Sequence, residues 1–440
     1  MNQKPQYRVY ALHNFRKLPQ VADKLDEQTL HEIEVVGHVL PFKVNNYVAD
    51  ELIDWDNIPD DPIYRLTFPH RDMLSDAHFD LMERTLQETT DKIERRKVAN
   101  QIRLELNPHP AGQMSHNVPE LNGIKLTGMQ HKYRETVLFF PQQGQTCHAY
   151  CSFCFRWPQF VGMDELKFAM REAELLVAYL KEHSEVTDLL ITGGDPMVMK
   201  AHRLRAYLEP LLEADLPHLQ NIRIGSKALA YWPWRFLTDD DADEVLRLFE
   251  RVVQSGKHLA FMAHFNHPRE LETEAVRRAI ARIRNTGAEI RTQSPLLRHI
   301  NDDAEVWATM WREQVKLGCV PYYMFVARDT GAHDYFAVPL AEAHQIYREA
   351  YMQVSGLART VRGPSMSAHP GKVCVLGTTQ VGEEQLFVLT FIQARKPEWV
   401  GRPFFARYDE QATWLDELEP AFGHPTFFFE AELMADHSLN

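Results

Sequence analysis

Three of the five cysteines in this chain lie within one short segment, CHAYCSFC, at positions 147–154. Cys147, Cys151 and Cys154 are separated by three and then two residues. Thiolates bind metal ions and iron–sulfur clusters, and an odd number of cysteines with three of them clustered is unlike a secreted disulfide framework. The segment therefore predicts a metal or redox site.

Zinc and an iron–sulfur cluster are the two candidates for this site, beside three core cysteines that fall together by chance. Zinc usually takes four ligands, often as two pairs, and the remaining Cys319 and Cys374 are isolated. His148 is available as a fourth ligand, but its adjacency to Cys147 makes that geometry awkward. Three thiolates hold three corners of a four-iron cluster and leave the fourth iron open. We therefore rank a [4Fe-4S] cluster above zinc.

The hydrophobic pattern predicts the elements that position the cysteines. From about residue 135, apolar runs typical of strands alternate six times with stretches of helical periodicity. The runs are ETVLFF, VTDLLITGG, NIRIGS, HLAFMAHF, AEIRTQSPLL and VPYYMFVAR. Such alternation predicts a parallel sheet covered by helices, either doubly wound or an incomplete barrel. The first helix is expected over residues 163–183.

The regions that flank this α/β core differ from it in pattern. We assign residues 1–134 to a mostly helical N-terminal region, with its clearest helix at 75–106. The core covers residues 135–360, and residues 361–440 form a C-terminal extension with short strands. Both flanks are expected to pack on the core.

Composition restricts the partners of the chain. Its formal charge is −13, and the acidic residues are dispersed, which argues against a nucleic-acid partner. The first residues lack a secretory pattern, and no apolar run is long enough to span a membrane. A soluble cytoplasmic protein without a membrane partner is the expectation, and a homo-oligomer stays open.

Polar residues at the carboxyl ends of the predicted strands are the functional candidates, because the loops there gather around one cleft. The cysteine segment follows the first strand. The later strands are followed or ended by Gly193, Gly194 and Asp195, by Ser226, by His264, Asn266 and His267, by Gln293, and by Arg328 and Asp329.

The cysteine spacing, with Phe153 before the last cysteine, closely resembles the radical S-adenosylmethionine superfamily. That resemblance implies a partial (β/α)6 TIM-type barrel and a [4Fe-4S] cluster whose open iron is chelated by the methionine part of S-adenosylmethionine. It also places Phe153 near the adenine. TGGDP, which contains Gly193, Gly194 and Asp195, matches the element that meets the methionine ammonium.

Over roughly residues 55 to 372 the chain resembles the lysine 2,3-aminomutase family. The matching blocks, in order, are DPIYRLTFP, CSFCFR, ITGGDP, RIGSKAL, HFNHPRE, LLRHINDD and PYYMF. Members of that family are isomerases that use the adenosyl radical together with pyridoxal 5′-phosphate to move an amino group between carbons 2 and 3 of an amino acid.

The resemblance assigns roles to single residues. Arg156 matches the arginine that binds the substrate α-carboxylate, and Lys372 aligns with the lysine that binds pyridoxal phosphate covalently. His264, Asn266 and Gln293 correspond to residues near the adenosyl group. Ser226 is also expected to contact a cofactor.

The chain departs from the family pattern at the pyridoxal phosphate and substrate sites. The glycine-rich run before the lysine is reduced to AHPG, and the two phosphate-binding arginines fall on Lys132 and Thr136, with Arg134 as a substitute. The two aspartates that receive the distal ammonium of lysine fall on Arg328 and Ser365. A cation facing an ammonium is unfavourable, so we expect a substrate other than lysine, with an acidic side chain as one candidate.

The resulting expectation is a radical enzyme that isomerises a small amino acid and receives electrons from a flavodoxin or ferredoxin. One alternative keeps the radical chemistry without pyridoxal phosphate, as in epimerisation, oxidation or another rearrangement. The other is a zinc or iron–sulfur sensor without catalysis.

Overall fold

The computed structural model describes residues 5–112, 116–163 and 167–437 as a mixed α/β protein. Its largest sheet has eleven strands in the order β15 to β5. The strands of this sheet are β5 (Met129–Tyr133), β6 (Thr136–Phe139), β7 (Asp188–Ile191), β8 (Asn221–Ser226), β9 (His258–His264), β10 (Glu289–Leu296), β11 (Val320–Val326), β12 (Arg362–Ser367), β13 (Gly371–Val381), β14 (Glu384–Ala394) and β15 (Pro403–Arg407). Two small antiparallel sheets are also present: β1 (Val9–Ala11) pairs with β2 (Lys43–Asn45), and β3 (Glu120–Leu121) forms a hairpin with β4 (Ile124–Lys125).

Strands β6 to β12 each pair in parallel with the next strand along the chain. Strand β5 adds antiparallel at one side, and β13 to β15 add antiparallel at the other. Parallel neighbours need crossover connections, and each of the six crossovers between β6 and β12 contains at least one helix. All seven parallel strands therefore point their carboxyl ends to one edge, where the cysteine segment and the other polar candidates follow.

The helices fall into an N-terminal group and a crossover group. The first contains α1 (Pro19–Lys24), α2 (Glu27–Val39), α3 (Pro62–Thr67), α4 (Asp76–Glu88) and α5 (Lys92–Glu105). The second contains α6 (Ala173–Glu182), α7 (Ala201–Glu213), α8 (Ala228–Tyr231), α9 (Ala242–Gln254), α10 (Glu274–Asn285), α11 (Ala304–Lys316), α12 (His333–Phe336) and α13 (Leu340–Met352), and α14 (Phe428–His437) lies near the C-terminus. None of the helices described is both long and apolar enough to cross a membrane.

Two apolar clusters hold these layers together. The larger one joins the N-terminal helices, the parallel strands and the crossover helices, and the smaller one surrounds the antiparallel strands β13 to β15. Helix α9 shows why the crossover helices pack as they do: Val245, Phe249 and Val252 recur at helical spacing and are fully buried.

Two predicted helices differ from the structure. The helix expected over 163–183 begins only at Ala173, because Met170 pairs its backbone with the chain beyond β6: its N–H donates to Phe140 O (2.9 Å) and its carbonyl accepts from Gln142 N (3.0 Å). Part of that prediction, residues 164–166, lies outside the described residues. The helix expected over 75–106 is two helices, since Asp91 caps the second one by accepting from Ile93 N at 2.9 Å.

Strand β12 has no counterpart among the predictions. Its sequence, RGPSMS, carries a glycine and a proline, which ordinarily weaken a strand assignment. In the structure it is the seventh parallel strand and leads directly to Lys372 on β13.

Candidate active site

The cysteine loop, residues 147–154, is anchored by the N-terminal region. Lys43 Nζ donates to the carbonyl of Cys147 at 2.6 Å. Ser152 N donates to the carbonyl of Leu66 at 2.9 Å, and Leu66 belongs to the DPIYRLTFP block. Because these bonds fix the backbone on both sides of Cys151, the loop is held in shape by protein contacts alone.

The three thiols of this loop have the chemistry of cluster ligands. None of the three forms a disulfide, and Tyr231 Oη lies 3.4 Å from Cys151 Sγ. Burial raises the pKa of all three, that of Cys151 to about 12, so a thiolate here needs a cationic metal to stabilise it. Within the described ranges, no three Cys, His, Asp or Glu side chains converge on a point where they would hold one ion. Three thiols on one anchored loop suit ligands that each bind a different iron of a cluster.

The Gly-Gly-Asp segment after β7 lies directly against the cysteine loop. Asp195 N donates to Thr146 O at 2.7 Å. A Cβ on Gly194 would lie 2.5 Å from the same carbonyl oxygen, and Gly193 has φ +155°, which L side chains rarely adopt. Glycine is therefore required at both positions for the two loops to approach each other.

The carboxylate of Asp195 is occupied by protein donors. Only 2% exposed, it accepts from Met197 N (2.8 Å), from Ser226 Oγ (2.7 Å) and from Lys227 N (2.9 Å). Burial raises the pKa of Asp195 to about 6. Asp195 and Ser226 thus connect the loops after β7 and β8, and in this structure they act as positioning residues for the cysteine loop.

A buried ion pair that the sequence did not reveal continues this connection. Lys227 Nζ donates to Glu270 Oε1 at 2.6 Å and to Asn266 Oδ1 at 2.8 Å, and Glu270 is fully buried. The ammonium also lies 4.5 Å from the ring centroid of Tyr231, whose hydroxyl contacts Cys151. The RIGSKAL and HFNHPRE blocks therefore meet behind the cysteine loop, and a lysine one residue after a predicted strand was the available signal.

Phe153, His264 and Gln293 are neighbours in front of the cysteine loop. The rings of Phe153 and His264 are 5.7 Å apart, and His264 pairs with Gln293 across β9 and β10. His264 Nε2 is buried without a hydrogen-bond partner among the described residues, and burial lowers its pKa well below the usual value. An unpartnered buried nitrogen beside an aromatic ring fits a nucleoside that supplies the missing hydrogen bond.

Arg156 lies close to the cysteines with part of its guanidinium unused. Its Nη2 donates to Gln145 Oε1 at 3.2 Å, and its guanidinium carbon is 4.2 Å from the ring centroid of Phe140. Its Nε is buried with no partner in the described part of the chain, and burial lowers the pKa of Arg156 to about 10. A carboxylate would complete this set of donors.

Arg328 is partly buried between two aromatic rings. Its guanidinium carbon lies 5.3 Å from the centroid of Phe155 and 5.9 Å from that of Trp414, and its Nε has no partner in the ranges described. The neighbouring Asp329 does not pair with it: its Oδ2 accepts from Asn107 Nδ2 at 3.1 Å. The position that the family resemblance aligns with an ammonium-binding aspartate therefore carries a cation without an acidic partner among the described residues.

Ser365 is fully buried on β12, where its hydroxyl donates to the carbonyl of Met324 at 3.3 Å. It adds no charge, so Arg328 dominates the electrostatics of this pair of positions.

Lys372 directs its ammonium at aromatic side chains of β11. Nζ lies 4.1 Å from the ring centroid of Tyr323 and 5.4 Å from that of Phe325. Burial lowers the pKa of Lys372 to about 7, with Arg223 and Arg362 adding to the effect. A lysine that is half neutral near pH 7 suits nucleophilic attack on a carbonyl, so this residue fits the covalent attachment of pyridoxal phosphate.

The two proposed phosphate cations are not placed together. Lys132 donates through Nζ to the carbonyl of Ala368, four residues before Lys372. Arg134 is exposed in the turn between β5 and β6, at the amino end of β6, while the cysteine loop follows its carboxyl end. The structure does not bring Arg134 to the site, because a two-residue hairpin turn directs it outward.

The chain was compared in sequence and in structure with known proteins. No family model matches the chain. A protein of Aquifex aeolicus (strain VF5) named "Putative L-lysine 2,3-aminomutase" is 33% identical over 396 residues, which cover 90% of this chain and 92% of that protein. L-lysine 2,3-aminomutase of Escherichia coli (strain K12) is 32% identical over 241 residues, 54% of this chain and 66% of that protein.

A third relative differs in the substrate that it names. Glutamate 2,3-aminomutase of Clostridioides difficile (strain 630) is 27% identical over 212 residues, 48% of this chain and 47% of that protein. Among solved structures, a radical SAM methyltransferase from Sphaerobacter thermophilus matches with a TM-score of 0.36 and 12% identity over 53% of this chain and 68% of that one, a likeness too weak to carry an argument. The identity over nine-tenths of the chain is decisive: the chain belongs to the lysine 2,3-aminomutase-like family of radical S-adenosylmethionine enzymes.

Proposed function

We propose that the chain is a pyridoxal phosphate-dependent 2,3-aminomutase acting on an amino acid whose side chain ends in a carboxylate, such as glutamate or aspartate. The observation that carries the substrate class is Arg328, a partly buried cation with an unpartnered Nε. An ammonium group would be repelled there, whereas a carboxylate would form charge-assisted hydrogen bonds. The relative named glutamate 2,3-aminomutase supports an acidic substrate.

When bound, a [4Fe-4S] cluster with S-adenosylmethionine would supply radical chemistry, and pyridoxal phosphate would supply a carrier for the amino group. The residues of this chain bind and orient these groups. Cys147, Cys151 and Cys154 would hold the cluster, and Lys372 would attach pyridoxal phosphate. Arg156 would bind the α-carboxylate of the substrate.

The proposal extends to the architecture. We place these residues in a partial (β/α)6 barrel over residues 135–360, with residues 1–134 and 361–440 packed on it. The sequential parallel pairing of β6 to β11 supports a barrel. The bond from Lys132 on β5 to Ala368 beyond β12 also supports it, since it brings the two sides of the sheet together. Such an interior excludes water from a reactive radical.

Turnover by the anaerobically reconstituted enzyme tests the substrate class. With dithionite, or a flavodoxin or ferredoxin, as reductant, we expect L-glutamate or L-aspartate to be isomerised in preference to L-lysine. Arg328→Gln should raise the KM for the acidic substrate by about 10- to 150-fold, because one hydrogen bond to a charged group is lost. Arg407→Gln, which removes an exposed arginine paired with Glu419, is the matched control and should leave KM unchanged. Preference for L-lysine, together with an unaltered KM in Arg328→Gln, would contradict the proposal.

A radical enzyme without pyridoxal phosphate is the second candidate, for instance an epimerase. The observation that favours it is the exposed Arg134, which leaves the phosphate without one of its two expected cations. Reconstitution with pyridoxal phosphate, followed by borohydride and peptide mass analysis, separates the two candidates. A pyridoxyl group on Lys372 supports the aminomutase, and S-adenosylmethionine cleavage without any bound pyridoxal supports the second candidate.

A further inference from the structure

The turn that leads into Lys372 is held by two cations. Residues 368–370 connect β12 to β13. Lys132 Nζ donates to the carbonyl of Ala368, and Arg395 Nε donates to the carbonyl of His369 at 2.9 Å. Two positive side chains from opposite sides of the sheet, β5 and the end of β14, therefore meet on successive carbonyls.

Neither cation has an acidic partner. In the described part of the chain, no carboxylate lies within ion-pair distance of Lys132, Arg395 or Arg328. Burial lowers the pKa of Lys132 well below its usual value, and Arg395, Arg328 and Lys372 lower it further. Cations gathered in a poorly solvated place repel one another unless an anion neutralises them. The arrangement is that of an anion site.

Arg395 is oriented for this task by a second bond. Its Nη2 donates to Asn117 Oδ1 at 2.6 Å, and the Asn117 carbonyl accepts from His131 N, the neighbour of Lys132, at 2.8 Å. These bonds use Nε and one Nη2 proton, and a guanidinium has five N–H donors. The described residues offer no hydrogen-bond partner to the remaining donors, which could therefore bind oxygens of an anion.

We propose that Arg395 joins Lys132, which the family resemblance already assigns to the phosphate, to bind the phosphate group of a phosphate monoester whose reactive end reaches Lys372. The inference rests on the proposed function in that the monoester would be pyridoxal phosphate. In this chain the two cations take the place of the glycine-rich backbone, which is reduced to AHPG, and Arg395 takes the place of the exposed Arg134. A phosphate dianion and two cations match in charge and in hydrogen-bonding capacity.

The dissociation constants of pyridoxal phosphate and pyridoxal differ by the contribution of the phosphate group to binding. Dissociation constants measured by absorbance for the full-length protein should be lower for pyridoxal phosphate than for pyridoxal. Arg395→Gln should weaken the binding of pyridoxal phosphate by about 10- to 100-fold, since one charge-assisted contact to phosphate is removed. The binding of pyridoxal should be unchanged. Arg395→Lys, which retains the charge, should keep most of the preference. Arg134→Gln is the matched control and should retain it fully.

Two results would overturn the inference. Equal weakening of both ligands in Arg395→Gln would show that Arg395 only shapes the turn, and loss of the preference in Arg134→Gln would return the phosphate to that residue.

Inorganic phosphate separates this inference from the proposed function. If the wild-type protein attaches neither pyridoxal compound, the proposed function fails, and thermal unfolding in phosphate then decides the anion site. A rise in melting temperature for the wild type and Arg134→Gln, absent in Arg395→Gln, supports the site. No rise in any of the three contradicts it.

Discussion

The two ends of the candidate site differ in how their charges are satisfied. Behind the cysteine loop, the polar groups are paired within the protein: Asp195 accepts three hydrogen bonds, and Lys227 is bonded to Glu270. Around Lys372, the cations Lys132 and Arg328 have no carboxylate partner among the described residues. The network behind the cysteine loop is therefore complete within the described residues, whereas Arg328, like Arg156 and His264 in front of the loop, keeps a buried nitrogen without a partner there.

This difference indicates a division of labour. A cluster needs thiols that stand at fixed positions before it is assembled, and buried hydrogen-bond networks provide that rigidity. In the proposed function, substrate and pyridoxal phosphate are anions that bind afterwards, and cations without an acidic partner among the described residues would contribute to their binding free energy. If the proposed function holds, the cysteine end determines whether a radical is formed, and the lysine end determines which substrate the radical acts on.

Removal of one cysteine should have the largest effect. Cys154→Ala leaves the cluster with two protein ligands, and we expect the loss of at least about three orders of magnitude in S-adenosylmethionine cleavage, because the radical arises only at the cluster. Iron content and visible absorbance after anaerobic reconstitution measure the cluster, and liquid chromatography measures 5′-deoxyadenosine.

Cys319→Ala provides the control, since Cys319 is likewise free of a disulfide but is buried in the apolar core. It should keep both cluster and cleavage. Full cleavage in Cys154→Ala would show that the cysteine loop does not hold the cluster.

Breaking the buried ion pair between Lys227 and Glu270 should have the next largest effect, which is a loss of stability. Lys227→Met leaves the fully buried Glu270 without its partner, which typically costs about 3–5 kcal/mol. We expect the free energy of unfolding of the apoprotein, from denaturant titration, to fall by that amount. The double variant Lys227→Met, Glu270→Leu should recover much of it, because no charge is then left buried.

The exposed pair Lys316–Glu313 is the control for this measurement. Lys316→Met should change the free energy of unfolding by less than about 1 kcal/mol, since solvent screens surface pairs. A loss in Lys227→Met no larger than in Lys316→Met would show that the network does not stabilise the cysteine loop.

The sequence was sufficient to predict the parts of the site that are formed by short motifs at the ends of strands. The cysteine spacing and TGGDP each carry their signal within a few residues, and both predict a site at the carboxyl edge of a parallel sheet. The strand–helix alternation was equally readable, because the apolar periods of strands and helices differ. The superfamily assignment made on these grounds, and the aminomutase family assignment made on the seven sequence blocks, are confirmed by the 33% identity over 90% of the chain.

Features that depend on contacts between residues distant in the chain could not be predicted from the sequence. Helix α6 begins late because Met170 bonds to backbone at the end of β6, and nothing within residues 163–172 announces that partner. Arg395 was missed for the same reason: it meets Lys132 only through the antiparallel strands β13 and β14. Arg134 and Lys132 are two residues apart, yet the hairpin turn sends only one of them to the turn at residues 368–370.

The titration of Lys372 tests the lysine end with the smallest expected effect. Because burial and nearby arginines lower its pKa to about 7, the amine is mostly charged below pH 7 and neutral above it. Only the neutral amine attacks a carbonyl, so the rate of covalent attachment of pyridoxal phosphate should rise about tenfold per pH unit below 7 and level off above it.

Arg362→Gln removes one of the cations that disfavour the charged form of Lys372, and should move the inflection to higher pH. Arg407→Gln, exposed and paired with Glu419, should leave the inflection in place. An inflection near pH 10 in the wild type would mean that Lys372 is solvated and that Arg223 and Arg362 do not disfavour its charged form.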